Sequence, residues 1–224
     1  MALISRIQVC NDIIQLLATP ECLGVWIALP LSTLSRARRN DGRGPGPLRG
    51  EAAPDIFGLS ALSSANRRKV DLSNNYIRFA VKVCDLGLRT GLQTYLESSL
   101  TSRLWKIPAI RELTSKHAVS TTRFDCCRYG TPWRKATRIL HAYSPDFGAH
   151  ALSCNSVNGR CVETGKWHIQ LAGTDSNGIH WTKRAEKHPI LLCSQWAAAI
   201  RDSAVTLWLA AHWRMAEHTG CGIG

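Results

Sequence analysis

Four residues of this chain have the right chemistry to hold a metal ion. Cys127, Cys154, Cys161 and His168 offer three thiolates and one imidazole, a valid tetrahedral set for zinc. Six residues separate Cys154 from Cys161, six more separate Cys161 from His168, and Cys127 lies 27 positions upstream of Cys154. No tight Cys-x2-Cys knuckle is present, so reduced thiols and a surface histidine stand beside zinc as the alternative. Cys126 competes with Cys127; on a strand the two face opposite sides, so only one can serve. Cys193 is a more distant candidate, and Cys10, Cys22 and Cys84 read as small core residues in apolar segments.

A second stretch, Cys127 to Leu140 (CRYGTPWRKATRIL), combines a sharp turn with spaced cations. Gly130 permits the turn, Pro132 fixes the next φ, and Arg134 and Arg138 bring charge to the following strand. Solvated basic residues on a turn are the plain alternative. Arg36, Arg38, Arg39, Arg43 and Arg49 crowd a Gly- and Pro-rich stretch. Such a stretch reads as a mobile basic loop over about 35–57, either simply solvated or touching phosphates.

Short elements must position these groups. Ala2 to Leu17 has a helical spacing of apolar residues closed by Pro20, and Cys22 to Leu29 reads as a buried, parallel strand. Ser73 is the expected N-cap of a helix through Cys84, with Gly87 as its stop. Gln93 to Leu96 forms a strand that delivers Glu97 at its carboxyl end. Short helices are expected at Thr101–Trp105 and Ala109–His117, and strands at Ser120–Cys126 and Arg138–Tyr143. Asp175 to Gly178 reads as a turn between two strands, and Gln195 to Glu217 as one long helix carrying Trp196, Trp208 and Trp213. The alternation implies an α/β fold with a mostly parallel sheet. Residues 1–145 would form the α/β domain, 146–193 a Cys/His-containing extension, and 194–224 a terminal helix and tail.

Composition narrows the function. Twenty-eight Lys and Arg against sixteen Asp and Glu give +12, which favours a polyanionic partner, nucleic acid first and DNA before RNA. With 45% apolar residues the chain can fill a core, which excludes wholesale disorder. No run of about 18 apolar residues suggests a membrane span, and no secretory signal is legible. Nine cysteines in 224 residues are too few and too odd in number for a disulfide scaffold. An intracellular setting, nuclear or cytoplasmic, follows as the expectation.

The run Tyr129-Gly130-Thr131-Pro132-Trp133-Arg134 through Arg138 resembles the Tyr-Gly-Val-Pro-Gln-x-Arg-x-Arg segment of cytosine-5 DNA methyltransferases. Val25 to Arg38 resembles the strand and loop that carry that family's Pro-Cys. Tyr95 to Trp105 (YLESSLTSRLW) resembles its Glu-Asn-Val strand, written Glu-Asn-Pro with a following Ser-x-Leu-Trp in phage and mobile-element relatives. Cys154 to His168, continuing to Cys193, is similar to a Cys/His tail of that branch. The resemblance covers most of residues 22–200.

The resemblance implies a partial Rossmann-like methyltransferase sheet, the C-terminal strands of that fold. It also implies a cysteine attack on a flipped-out cytosine, a glutamate at ring nitrogen 3, a steadying arginine, and S-adenosylmethionine as donor. Pro30 matches the Pro of Pro-Cys, but Leu31 stands in the nucleophile's place, with Ser32 beside it. Glu97 matches the glutamate, followed by Ser98 and Ser99, and Arg134 or Arg138 matches the arginine. Leucine carries no lone pair and cannot form the adduct. The family's donor loop lies on strands that would precede Cys22, so no cofactor-binding residue is assigned. Gly220 to Gly224 lacks a following helix and reads as a frayed tail. The expectation is therefore a degenerate methyltransferase-like protein without catalysis that retains nucleic-acid binding. A second chain completing the sheet would cover the otherwise bare edge of the first strand. The alternatives are a small zinc-dependent nucleic-acid-binding module, half of a split methyltransferase, and a chain that does not fold alone.

Overall fold

The computed structural model describes residues 6–30, 32–41, 45–144 and 147–218. Four strands form one sheet in the order β1-β2-β4-β3: β1 Gly24–Ala28, β2 Gln93–Ser99, β3 Val119–Asp125 and β4 Ala136–Ala142. The helices are α1 Arg6–Leu17, α2 Ser64–Thr90, α3 Pro108–Thr114, α4 Trp181–Arg184 and α5 Ile190–His218. The mixed α/β class is as expected; the mostly parallel sheet is not. Only β1 and β2 pair in parallel, while β4 runs antiparallel to both of its neighbours. Three strands do share one direction. The exception arises because residues 126–135 make a short hairpin link from β3 to β4, too short for the crossover a parallel pair needs. The reversed strand then inserts between β2 and β3.

Side chains on successive strand residues alternate between faces, and each face has its own core. Leu96 and Leu140 pack under α2 and α3 with Ile77, Ala80, Ile110 and Leu113. Tyr95, Phe124 and Ile139 face the other way, onto Leu192, Trp196 and Ala199 of α5. Helices thus cover both sheet faces. At the β1 end, Ile14 and Leu17 of α1 pack with Val83 of α2 and with Val25 and Ile27. Strand β1 is an edge strand, with no further strand beside it among the described residues.

Helix α2 is longer than its sequence signals suggest. Ser63, not Ser73, caps it, its hydroxyl accepting the Asn66 N–H at 3.3 Å, and Gly91 at φ 73° closes it. Ser73 instead lies buried mid-helix, where its Oγ accepts a hydrogen bond from Thr33 at 2.9 Å. Gly87 is no stop signal. A Cβ there would sit 2.0 Å from Thr94 Oγ1, so the glycine lets α2 lie directly on β2.

The stretch from Pro45 to Phe57 corrects the mobile-loop expectation. Leu48, Arg49 and Ile56 are buried. The Arg49 guanidinium donates to Thr33 Oγ1 at 3.2 Å, Ile56 O at 2.9 Å, Asn74 Oδ1 at 2.7 Å and Val70 O at 3.3 Å. This arginine is a structural pin, because a buried guanidinium survives only where its donors are matched. Burial lowers its pKa to about 10, against the opposing pull of Asp71.

The expected terminal helix is present and starts earlier, at Ile190. Trp196 is a core residue tilted against Trp26 and edge-on to Phe124, at centroid distances of 4.8 and 4.7 Å. The side chains of Trp208 and Trp213, and the Gly220–Gly224 tail, lie outside the described residues. The Asp175 turn is flanked by one isolated bridge, Thr174 to His180, rather than by two strands. Among the described residues no helix is long and apolar enough to cross a membrane.

Candidate metal centre and arginine cleft

Strand β3 ends in Asp125, and a single 3-10 turn, Cys126–Tyr129, follows, closed by Gly130 at φ 90°. The turn separates the two adjacent cysteines. Cys126 enters the α5-side core with Tyr95 and Trp196, whereas Cys127 joins Cys154 and Cys161 in a separate buried cluster. With His168, their ligand atoms all lie within 4.8 Å of one another. Cys154 Sγ is 4.0 Å from Cys161 Sγ and 3.8 Å from His168 Nε2. A tetrahedral ion with bonds of about 2.3 Å to sulfur requires edges of roughly 3.8 Å, so the donor set can hold a metal ion. Cys193 is exposed and not part of this group.

Backbone bonds shape the cage. Asp125 is fully buried, and its Oδ2 accepts the Cys154 N–H at 2.7 Å while its own N–H donates to Leu152 O at 3.0 Å. Arg134 Nε donates to Asp125 Oδ1 at 2.9 Å, and its Nη1 reaches Ser156 Oγ at 3.0 Å. Cys161 N–H donates to Lys166 O at 2.8 Å, and Ile169 N–H to Pro132 O at 2.9 Å, which ties the ligand ribbon to the Cys127 turn. Electrostatically the thiols differ. Burial, reinforced by the Cys154 thiol, pushes Cys127 well above the usual thiol range. At Cys161 burial acts upward too, but backbone N–H groups of Thr164 and Glu163 and the His168 ring overcome it and bring the thiol down to about 6. The two thiols are thus biased in opposite directions, Cys161 toward the thiolate and Cys127 toward the protonated form.

The residues matched to a catalytic set do not converge. Glu97 accepts a hydrogen bond from Trp26 Nε1 at 3.2 Å and lies 2.6 Å from His188 Nε2, with its side chain buried. Arg138 pairs across the sheet with Ser98, the neighbour of Glu97, so its side chain lies on the opposite face, over the Trp105 ring at 5.1 Å. Arg134 is the partner of Asp125. Pro30 is exposed just after β1. Leu31 and Arg43 lie outside the described residues.

A cleft of about 720 Å³ opens near the carboxyl end of β2, lined by Arg36, Arg38, Arg39, Thr101 and Arg103 and, among the described residues, by no carboxylate. Arg103 is nearly buried and is held by Ser35 O at 2.9 Å and Glu51 Oε1 at 3.0 Å. Arg38 Nη1 donates to Gly46 O at 2.9 Å. The Lys106 hydrogen bond, aided by the Arg103 charge, holds Glu51 below the ordinary carboxylate range. A second cleft of about 710 Å³, at the other end of the sheet, carries Arg78, Lys82 and Arg89, but Asp85 lines it as well and Lys116 is paired with Glu112.

Arg103, His188 and Asp125 were not singled out from sequence. Asp125 directly precedes the cysteine pair, a signal that was there to be read; His188 is 91 positions from its partner Glu97 and offered none. Comparison with known proteins finds no matching family model, curated protein or solved structure.

Proposed function

We propose that this protein is a zinc-stapled, basic nucleic-acid-binding protein, a degenerate relative of cytosine-5 DNA methyltransferases that lacks their covalent step. The arginine cleft carries the reading. Arg36, Arg38 and Arg39 around one opening, with no lining acid among the described residues and Glu51 already engaged by Arg103 and Lys106, make a site whose complement is a row of phosphates. Arg36 and Arg39 are exposed at its rim, whereas Arg103 is preset by Ser35 and Glu51. Bound zinc would supply no chemistry on substrate, because all four of its positions are taken by Cys127, Cys154, Cys161 and His168. Leu31, where the resemblance places sulfur, cannot add to a cytosine ring.

The test combines metal analysis, binding and trapping. Purified protein should carry one zinc per chain and bind DNA with log K falling against log salt at a slope of about −3, for roughly three neutralised phosphates. Replacing Arg36, Arg38 and Arg39 together with Glu should abolish that binding without changing metal content. Oligonucleotides containing 5-fluorocytosine should give no covalent adduct. Equal binding by the triple variant, or an adduct, would overturn the proposal.

A further inference from the structure

The ribbon that carries Cys154, Cys161 and His168 has a feature that neither the donor set nor the arginine cleft requires. Val157, Asn158, Gly159 and Arg160 form a two-residue hairpin turn, with φ of 51° at Asn158 and 82° at Gly159 and the Arg160 N–H bonded to Val157 O at 3.0 Å. Single bridges pair Val157 with Arg160 and Arg160 with Trp167, so these three residues lie side by side. Trp167 is 61% exposed and Val157 70%, although both sit within a segment tied down at Cys154, Cys161 and His168. The indole does not wander. A Cβ on Gly159 would lie 3.2 Å from its Cε3 and Cζ3 atoms, so the ring rests on bare backbone. The Arg160 guanidinium lies over it at 4.8 Å from the centroid, anchored by Gly165 O at 3.3 Å. The next residue, His168, donates its N–H to Gly159 O at 3.0 Å and contributes Nε2 to the metal set.

An indole held in water by a glycine, a guanidinium and a ligand residue is a preorganised planar platform. The surrounding charge selects among flat ligands. Arg160 lies against the ring, Lys166, the residue before Trp167, is exposed, and Glu163, the nearest acid in sequence, is already paired with Arg128 at 3.0 Å. Cationic ligands are disfavoured, while a π face attached to a negative backbone is favoured.

We infer that Trp167, with Arg160 and Lys166, is a stacking site for an unpaired nucleobase of single-stranded nucleic acid, its phosphates meeting the two cations. In a duplex the base faces are hidden in the stack, so the platform distinguishes single strands from double strands. The inference rests on the nucleic-acid reading above and adds the form of the ligand.

Zinc-loaded full-length protein and labelled single-stranded and duplex oligonucleotides provide the test. Trp167→Ala should weaken single-strand binding by about tenfold or more and leave duplex binding within about twofold, since stacking on one aromatic is worth that much. Trp167→Phe, which keeps a stacking face, should retain most single-strand affinity, and both variants should keep full metal content. Unchanged single-strand binding by Trp167→Ala, equal losses on both nucleic acids, or no single-strand binding by the wild type would overturn the inference. So would a self-associating wild type whose dimer, rather than its oligonucleotide binding, is lost in Trp167→Ala. If the Arg36, Arg38 and Arg39 replacements still abolish duplex binding in any of these cases, the broader reading survives on its own.

Discussion

The sheet and the ribbon that follows it are held by different physics. Both faces of the sheet bury aliphatic and aromatic side chains against helices, on the α2 and α3 side and on the α5 side. Each fully buried Leu, Ile or Phe contributes about 1.5–3 kcal/mol there. In residues 151–188, by contrast, only Cys154, Cys161 and Ala185 are buried. A segment with so little apolar burial cannot offset its own ordering entropy, so its shape depends on polar bonds and on the Cys3His set. The lesson is a division of labour. The sheet region folds on its apolar pattern, while the ribbon folds by being tied to the end of β3.

The largest expected effect breaks that division. With zinc in the Cys3His set as proposed, chelation or Cys154→Ser should remove it, and binding in structural zinc sites amounts to roughly 10–16 kcal/mol. Residues 151–188 should then become the first sites of limited proteolysis, while α2 and the sheet stay protected. A proteolysis pattern unchanged by chelation would show that the ribbon holds itself.

Next in size is a contrast between two arginines of one stretch. Arg49→Ala strands the carbonyls of Ile56 and Val70 and the side chains of Asn74 and Thr33, and should cost about 3–5 kcal/mol in denaturant unfolding. Arg39→Ala, at an exposed position, should change stability by less than about 0.5 kcal/mol and lower nucleic-acid affinity instead. Similar stability losses from the two would erase the distinction between pin and cleft.

The smallest effect concerns His141, buried on the α5-side face with Nε2 at 2.9 Å from Thr122 Oγ1. Burial lowers its pKa below the ordinary 6.5, opposed by a backbone bond with Ser144. The unfolded chain therefore takes up a proton near pH 6.5 while the native protein does not. Stability contributed by this residue is full above that pH and is lost as pH falls toward the native value. His141→Asn should flatten this part of the profile, narrowing the pH 7.5 to 5.5 difference in Tm by on the order of 2–4 °C. An identical profile in the variant would remove His141 as a source of acid sensitivity.

Some of this was legible in advance because it depends on residue type alone. Thiols and imidazoles are chemically distinct groups, and Cys127, Cys154, Cys161 and His168 do meet, while the alternatives Cys126 and Cys193 lie elsewhere. Strand positions followed from short apolar runs. The cap of α2 was misplaced because Ser63 and Ser73 offer the same hydroxyl, and only packing decides that one faces Asn66 and the other Thr33. Arg49 looked like Arg36 and Arg39 because composition records charge and not enclosure. The resemblance matched Glu97 and Arg138 to residues of one family site, yet strand alternation places them on opposite faces.

The sequence by itself determined the inventory of possible ligands, the excess of positive charge, the order along the chain of the four strands of the sheet, and an aliphatic side chain at position 31. Tertiary structure alone decided which way β4 runs, which cysteine of the adjacent pair turns toward the metal set, which arginine is enclosed, and that Trp167 stays in water. The reason is one of range. Element formation and side-chain chemistry are local, whereas direction, enclosure and exposure depend on groups tens of residues away, brought close only when the hairpin and the Asp125 bonds form.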